Sequence, residues 1–130
     1  MYRYLKKLLT GVLSLTVLCA AAMPSMALDG TGNAASVDGQ EYATVQEAID
    51  NGNGKTVTLL ADAKENLVIS EETEVILDLS TFTLVNNGAS HTITNKGTLT
   101  IQGSGKVDNE NHGKAALWNE GTAVLNGGTF

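Results

Sequence analysis

Two segments near the end of the sequence, residues 94–103 and 118–127, repeat one another. Asn95, Gly97 and Thr98 of the first segment each recur in the second with the same offset of 24 in residue number. A fixed period in the twenties is typical of stacked repeats, in which one unit cannot bury its apolar face alone. The repeat strongly constrains the architecture, whereas no set of residues in the sequence specifies a reaction.

Residues 1–27 have the pattern of a signal peptide. Arg3, Lys6 and Lys7 form a basic start, residues 8–22 are apolar, and the sequence Ser-Met-Ala at residues 25–27 places small residues at the two positions that a leader peptidase reads. The apolar stretch is shorter than the ~20 residues of a spanning helix. The sequence therefore predicts export with cleavage after residue 27, in preference to an uncleaved anchor, and no membrane segment in the mature chain.

The mature chain would be acidic and free of cysteine. The only cysteine, Cys19, lies in the leader, and Leu18 before it is not the small residue that lipid attachment needs. Beyond Ala27, five lysines stand against fourteen acidic residues, a formal charge of −9 without any arginine. Such a chain repels phosphate backbones, so nucleic acid is excluded as a partner, and no disulfide or thiolate metal site is available.

The sequence divides into four segments. After the leader, residues 28–37 are rich in Gly, Ala, Asn and Asp and predict a flexible lead-in. Residues 38–54 predict a strand and a capping helix. Residues 55–130 carry short runs of β-forming residues with turn residues between them, and predict the first coils of a stacked β-structure.

A capping box marks the helix. Thr44 stands at the N-cap and Glu47 at the third helical position, where each is expected to satisfy a free N–H of the other. Val45, Ala48 and Ile49 then form one short apolar face. A helix of about two turns does not persist alone, so it is expected to dock on the first coil.

The strand pattern leaves two architectures open, an antiparallel sandwich and a parallel β-helix. The period of 24 favours the β-helix, because stacked coils place Asn95 over Asn119 and Leu99 over Ala123, about 4.8 Å apart. The two asparagines would then form a structural side-chain ladder. The sequence predicts an all-β solenoid with a short N-terminal capping α-helix. Its inward residues are expected to be Val57, Leu59, Leu67, Ile69, Val75, Leu77, Leu79, Leu84, Ile93, Leu99, Ile101, Val107, Leu117, Ala123 and Leu125.

Several short motifs carry a family resemblance. They are Tyr42-x-Thr44-x-x-x-Ala48-Ile49, and residues 57–62, 77–79, 83–84 and 127–130. Over residues 37–130 the chain resembles the N-terminal portion of exported bacterial surface proteins with a pectin-lyase-like right-handed parallel β-helix. It departs from their usual Asn-Gly turn at residues 80–82. The resemblance implies the right-handed β-helix and a secreted or cell-surface location.

The second copy of the repeat stops at Phe130 without a polar cap. An open coil presents unpaired strand edges that recruit other chains. We therefore expect either that residues 55–130 are the truncated start of a longer solenoid, or that the open C-terminal coil self-associates.

Carboxylates are the first candidates for chemistry. Asp78, Asp108 and Glu110 are the acids that a Ca²⁺-dependent polysaccharide lyase would gather, and Glu74 with Asp78 is the pair that a glycoside hydrolase would need. Nothing in their spacing makes them converge, and a solvated outer face explains them as well. The sequence predicts no catalytic residue, cofactor or metal ligand. Any activity stays uncertain, with none expected within these residues.

The remaining candidates are aromatic, polar and basic. His91 and His112 lack a second ligand at metal spacing and are expected on the surface. Trp118 points outward if Leu117 points inward, so Trp118 and Asn119 would contact a sugar ring; alternatively, the indole packs on a neighbouring coil. Outward threonines in an ice-binding ladder are a further option, which the valine at position 124 interrupts.

The sequence therefore predicts a secreted or cell-surface binding or adhesion scaffold whose partner is a surface carbohydrate or a cell-surface protein. The alternative is the N-terminal fragment of a β-helical polysaccharide lyase or glycoside hydrolase with its catalytic coils beyond residue 130. A structural stalk is the third possibility.

Overall fold

A computed structural model describes residues 32–130. The predicted signal peptide, with its cleavage site, and residues 28–31 of the lead-in lie outside the described residues. In residues 32–130 the chain forms twelve short strands and one helix: β1 (Ala35–Val37), β2 (Gln40–Tyr42), α1 (Val45–Asp50), β3 (Lys55–Leu59), β4 (Ala63–Lys64), β5 (Leu67–Ile69), β6 (Glu74–Asp78), β7 (Thr83–Val85), β8 (Ile93–Asn95), β9 (Thr98–Gln102), β10 (Lys106–Asp108), β11 (Leu117–Asn119) and β12 (Thr122–Leu125).

The strands form three sheets. Sheet A has the order β12-β9-β6-β3-β1-β2, sheet B the order β10-β7-β4, and sheet C the order β11-β8-β5. From β3 onward, successive strands belong in turn to sheets A, B and C, and the pairings among these strands are all parallel. Residues one round apart therefore lie side by side on neighbouring strands.

The start of sheet A runs the other way. β1 is antiparallel to both β2 and β3. Asp38 and Gly39 join β1 to β2 with φ angles of 50° and 81°, and two consecutive positive φ values are the geometry of a tight two-residue hairpin turn. Such a turn connects only antiparallel strands. β1 is buried in the sheet, so the structure differs from the expected flexible lead-in at Ala35–Val37.

The predicted fold class, a right-handed parallel β-helix with a capping helix, is therefore wrong. The described residues form three small sheets, of which the largest mixes parallel and antiparallel strands, with one helix beside them. The period of 24 led to the wrong prediction because it holds only between the later strands. Paired residues are 24 apart between β9 and β12, but 20 apart between β3 and β6 and 26 apart between β5 and β8.

The core lies between the sheets and the helix. The inward residues predicted from Val57 to Val107 are all 0% or 1% exposed, and Val45, Ala48 and Ile49 of α1 join them. Leu125 differs, because it is 52% exposed. It lies on β12, which is the outermost strand of sheet A among the described residues, so its side chain is not packed between two strands.

The N-terminus of helix α1 is capped by one neighbouring side chain and by one from a later part of the chain. The Thr44 hydroxyl accepts from Glu47 N at 3.1 Å. The carboxylate of Glu65 accepts from Val45 N at 2.7 Å and from Gln46 N at 3.1 Å. These N–H groups have no partner within a helix, and a carboxylate at a helix N-terminus is favourable. Glu65 therefore completes the cap together with Thr44.

Gln46 connects the same helix to sheet C. Its side-chain oxygen accepts from Val68 N at 2.8 Å, and its Nε2 donates to Val68 O at 3.1 Å. The side-chain amide thus pairs with the outermost strand β5 as a neighbouring strand would, which satisfies an edge that would otherwise recruit other chains. Since α1 is so short, residues 32–130 contain no helix long enough to cross a membrane.

Candidate functional site

The candidate site is a surface on sheet C that we call the Trp118 face. Val68, Thr94 and Trp118 stand in register on β5, β8 and β11, and their side chains point away from the core. His91 and Glu120 flank Trp118. Adjacent strands are about 4.8 Å apart, so the three registered side chains form a row roughly 10 Å long.

Trp118 is exposed and yet fixed in position. Its side chain is 49% exposed, while its ring stacks on His91 with a centroid distance of 4.8 Å and an interplanar angle of 19°. Its Nε1 donates to Glu120 Oε1 at 2.9 Å. Stacking and a hydrogen bond at the ring edge leave the indole little freedom to rotate.

His91 is in turn anchored to the loop before β11. Its Nδ1 accepts from Ala115 N at 2.9 Å, which holds the imidazole against this loop. The sequence predicted only a surface position for His91. The sequence could have predicted this contact, because His91 precedes Ala115 by 24 residues, one period of the repeat, and residues one period apart lie side by side.

The two asparagines beside this face differ in burial. Asn95 is fully buried, and its Nδ2 donates to Asn119 Oδ1 at 2.7 Å and to Thr122 O at 2.8 Å. Its Oδ1 accepts from Gly97 N at 3.1 Å. Asn119 is exposed, and its Nδ2 donates to Gly121 O at 3.0 Å. Asn95 therefore ties successive strands together, and the Asn119 side chain, in register with Asn95, lies on the opposite side of β11 from the Trp118 ring.

The carboxylates suggested for catalysis do not gather. Asp78 is on β6 in sheet A and accepts from Ser80 N, while Asp108 is on β10 in sheet B and pairs with Lys106 at 2.8 Å. Glu74 and Asp78 share the outward face of β6, but four residue steps along the strand separate their Cα atoms by about 13 Å, and side chains that stand side by side keep the carboxyl groups about as far apart. This exceeds the separation of about 5–9.5 Å between the two carboxyl groups of glycosidases. No group of three His, Cys, Asp or Glu side chains suited to a metal exists among residues 32–130.

The environment of Asp108 changes its ionisation. The Lys106 side chain and the backbone N–H of Asn109 donate to the carboxylate, and both lower the pKa of Asp108 below its ordinary value of 3.8. The pair is exposed to solvent, so it is a surface ion pair rather than a catalytic one.

The structure also contains an open cleft of about 320 Å³, which the sequence did not predict. Lys64, Asn86, Gly88, Glu110 and Asn111 line it. Asn86 is buried, but its amide donates to Gly88 O and accepts from Glu110 N, so its hydrogen bonds are satisfied within the protein. The cleft thus offers a ligand only exposed polar and charged groups at its rim.

Comparisons with known proteins give no independent assignment. No protein-family model, curated protein or solved structure matches this chain. The family resemblance noted from the motifs therefore stays a prediction, and the function has to be argued from the site.

Proposed function

We propose that this chain belongs to an exported protein, secreted or retained at the cell surface, that acts as a binding or adhesion scaffold and binds surface glycans through the Trp118 face. The observation that carries the proposal is that Trp118 is 49% exposed although His91 and Glu120 hold its ring in place. An exposed, fixed aromatic ring is a ready contact for a sugar.

The physical basis is the match between an indole and a pyranose. One face of many pyranose rings carries C–H groups that pack on an aromatic ring, while the hydroxyls at the ring edge seek hydrogen bonds. Tryptophan supplies a large contact area at a small entropy cost because it has two side-chain torsions. Since the ring is already held, ligand binding sacrifices little further rotamer freedom.

Polar groups for the sugar hydroxyls surround the ring. Thr94 stands one strand away in register, and the Glu120 carboxylate lies at the indole edge. An apolar platform with a few polar groups at its rim is the usual composition of a small-ligand site. Trp118 is thus the residue we assign to stacking on the sugar, whereas the Asn119 side chain, which the sequence suggested as a second contact, bonds to Asn95 on the other side of β11.

Trp118 is the only tryptophan in the chain, so its fluorescence reports on this face alone. The full chain, exported by its own leader, is titrated with neutral, amino-bearing and acidic oligosaccharides. We expect a saturable change in emission with at least one class, and calorimetry should show that Trp118→Ala abolishes that binding.

The matched control is Val124→Ala, which removes another exposed apolar side chain, 44% exposed, from sheet A. It should leave binding unchanged. Absence of saturable binding to every saccharide class would overturn the proposal, as would binding that survives Trp118→Ala. If Trp118 were required for binding to a cell-surface protein but no saccharide bound, the role as a binding scaffold would stand and the assignment of glycans as its ligands would be overturned.

Export has its own test. The chain is expressed in a bacterium, and the intact mass of the product outside the cytoplasm is measured. Loss of residues 1–27 is expected, whereas an intact leader on a membrane-bound product would contradict the proposed cleavage.

A further inference from the structure

We propose that Glu120 is the specificity-determining residue of the Trp118 face, so that this face accepts uncharged or amino-bearing saccharides and rejects polymers of uronic acids. This inference rests on the proposed glycan binding and adds the chemical class of the ligand. Its origin is that Glu120 Oε1 lies 2.9 Å from Trp118 Nε1. A carboxylate therefore stands at the rim of the platform on which the sugar would stack.

The carboxylate is not paired with a cation. The two ion pairs of residues 32–130 are Lys55–Asp38 and Lys106–Asp108, and neither includes Glu120. Lys96 follows Asn95, whose carbonyl accepts from Glu120 N, so it lies one strand away. Lys96 thus flanks the face without neutralising the carboxylate through an ion pair.

The net charge of the chain is negative, like that of the Glu120 carboxylate. Residues 32–130 contain thirteen acidic residues against five lysines and no arginine. Recognition of a carboxylate polymer usually employs arginine, whose guanidinium forms paired hydrogen bonds with a carboxylate. A uronate stacked on Trp118 would meet the Glu120 carboxylate and a chain of net negative charge, whereas an ammonium group would find an acceptor in Glu120.

The expected effect is moderate because the site is open to water. Two unit charges about 4 Å apart in a high dielectric interact weakly, which corresponds to roughly a fivefold change in affinity for each uronate beside the rim. The effect should fall as salt is added, because the Debye length shrinks from about 10 Å at 0.1 M to 3 Å at 1 M.

The test compares three oligosaccharides of similar length by calorimetry on the full exported chain: N-acetylated chito-oligosaccharide, its deacetylated ammonium form, and oligogalacturonate. The first two should bind at least fivefold more tightly than the third. Glu120→Gln keeps an oxygen that can accept from Trp118 Nε1 but removes the charge, so it should reduce this discrimination.

Glu41→Gln is the matched control. It removes the same charge from β2, at the opposite end of sheet A from β12, roughly 24 Å away across five strand spacings. It should preserve the discrimination. Oligogalacturonate that binds as tightly as the neutral oligomer, or a Glu120→Gln variant with unchanged discrimination, would overturn this inference while leaving glycan binding intact. Failure of all three to bind would overturn both.

Discussion

The side-chain amide of Asn95 donates to the side-chain oxygen of Asn119, one repeat further along the chain, at 2.7 Å. Asn95 is fully buried, and it also bonds to Thr122 O and accepts from Gly97 N. One side chain thus joins the turn after β8 to the equivalent turn after β11. The repeat in the sequence is a repeat of this hydrogen-bonded turn.

Replacement of Asn95 by alanine should therefore destabilise the fold. It leaves the buried Gly97 N–H without its acceptor and the part-buried Thr122 carbonyl without this donor, and a buried unsatisfied group costs about 1–3 kcal/mol. We expect the free energy of unfolding, measured by urea denaturation, to fall by at least about 2 kcal/mol. Asn87→Ala, at an exposed turn position, should change it by less than about 0.5 kcal/mol. Equal effects of the two variants would contradict this role of Asn95.

Gly97 allows the same turn to stack closely. A β-carbon at this position would overlap the carbonyl oxygens of Ser70 and Thr73. Gly97→Ala should lower the free energy of unfolding by about 2 kcal/mol or more, because overpacking against backbone has no easy relief. Gly113→Ala is the control, since its nearest contact, Asn111 Oδ1, lies at an ordinary 3.5 Å. Thermal melting of the two variants separates a steric effect from a general loss of glycine.

The helix cap distinguishes two glutamates. Glu65 accepts from the first two N–H groups of α1, whereas Glu47 is exposed and contributes its backbone N–H to Thr44. Glu65→Ala should cost about 1–2 kcal/mol, typical of a lost N-cap. Glu47→Ala should cost less than about 0.5 kcal/mol. Denaturant midpoints test this, and a larger loss for Glu47→Ala would favour the reciprocal capping box.

His91 supports the indole of Trp118. His91→Ala removes the stacking partner, so the indole regains rotational freedom that ligand binding must then restrict. We expect a several-fold loss of glycan affinity and a lower fluorescence anisotropy of Trp118. His112→Ala, at an exposed position, should retain both values. Unchanged anisotropy in His91→Ala would show that the stack does not order the ring.

Asp108 should contribute to acid sensitivity. Its pKa is lowered in the folded state by Lys106 and by the backbone of Asn109, so its stabilising contribution is present above pH 3.8 and is lost as the pH falls through the lowered value. Asp108→Asn should therefore have a lower Tm than the unsubstituted protein at pH 6, and the two Tm values should converge near pH 2. Added salt at pH 6 should reduce the difference, because the pair is exposed. A Tm difference that grows on acidification would contradict the assigned sign.

The sequence alone predicted the regular part of this protein. Alternation of apolar and polar residues identified Val57, Leu77 and Ile101 as inward-facing, because a strand places successive side chains on opposite faces. The recurrence of Asn95 at Asn119 identified the two turns that stack. The apolar spacing of α1 likewise identified its buried face, since residues three and four apart share one side of a helix.

Tertiary structure decided what depends on pairing between distant residues. The antiparallel pairing of β1 with β3, the Glu65 cap and the contact of His91 with Trp118 each join segments more than fifteen residues apart. Local pattern identifies which face of a strand is buried, but it does not determine which strand comes to lie beside it. The offset in residue number between paired parallel strands, which ranges from 20 to 26, determines those neighbours, and only the packed chain establishes it.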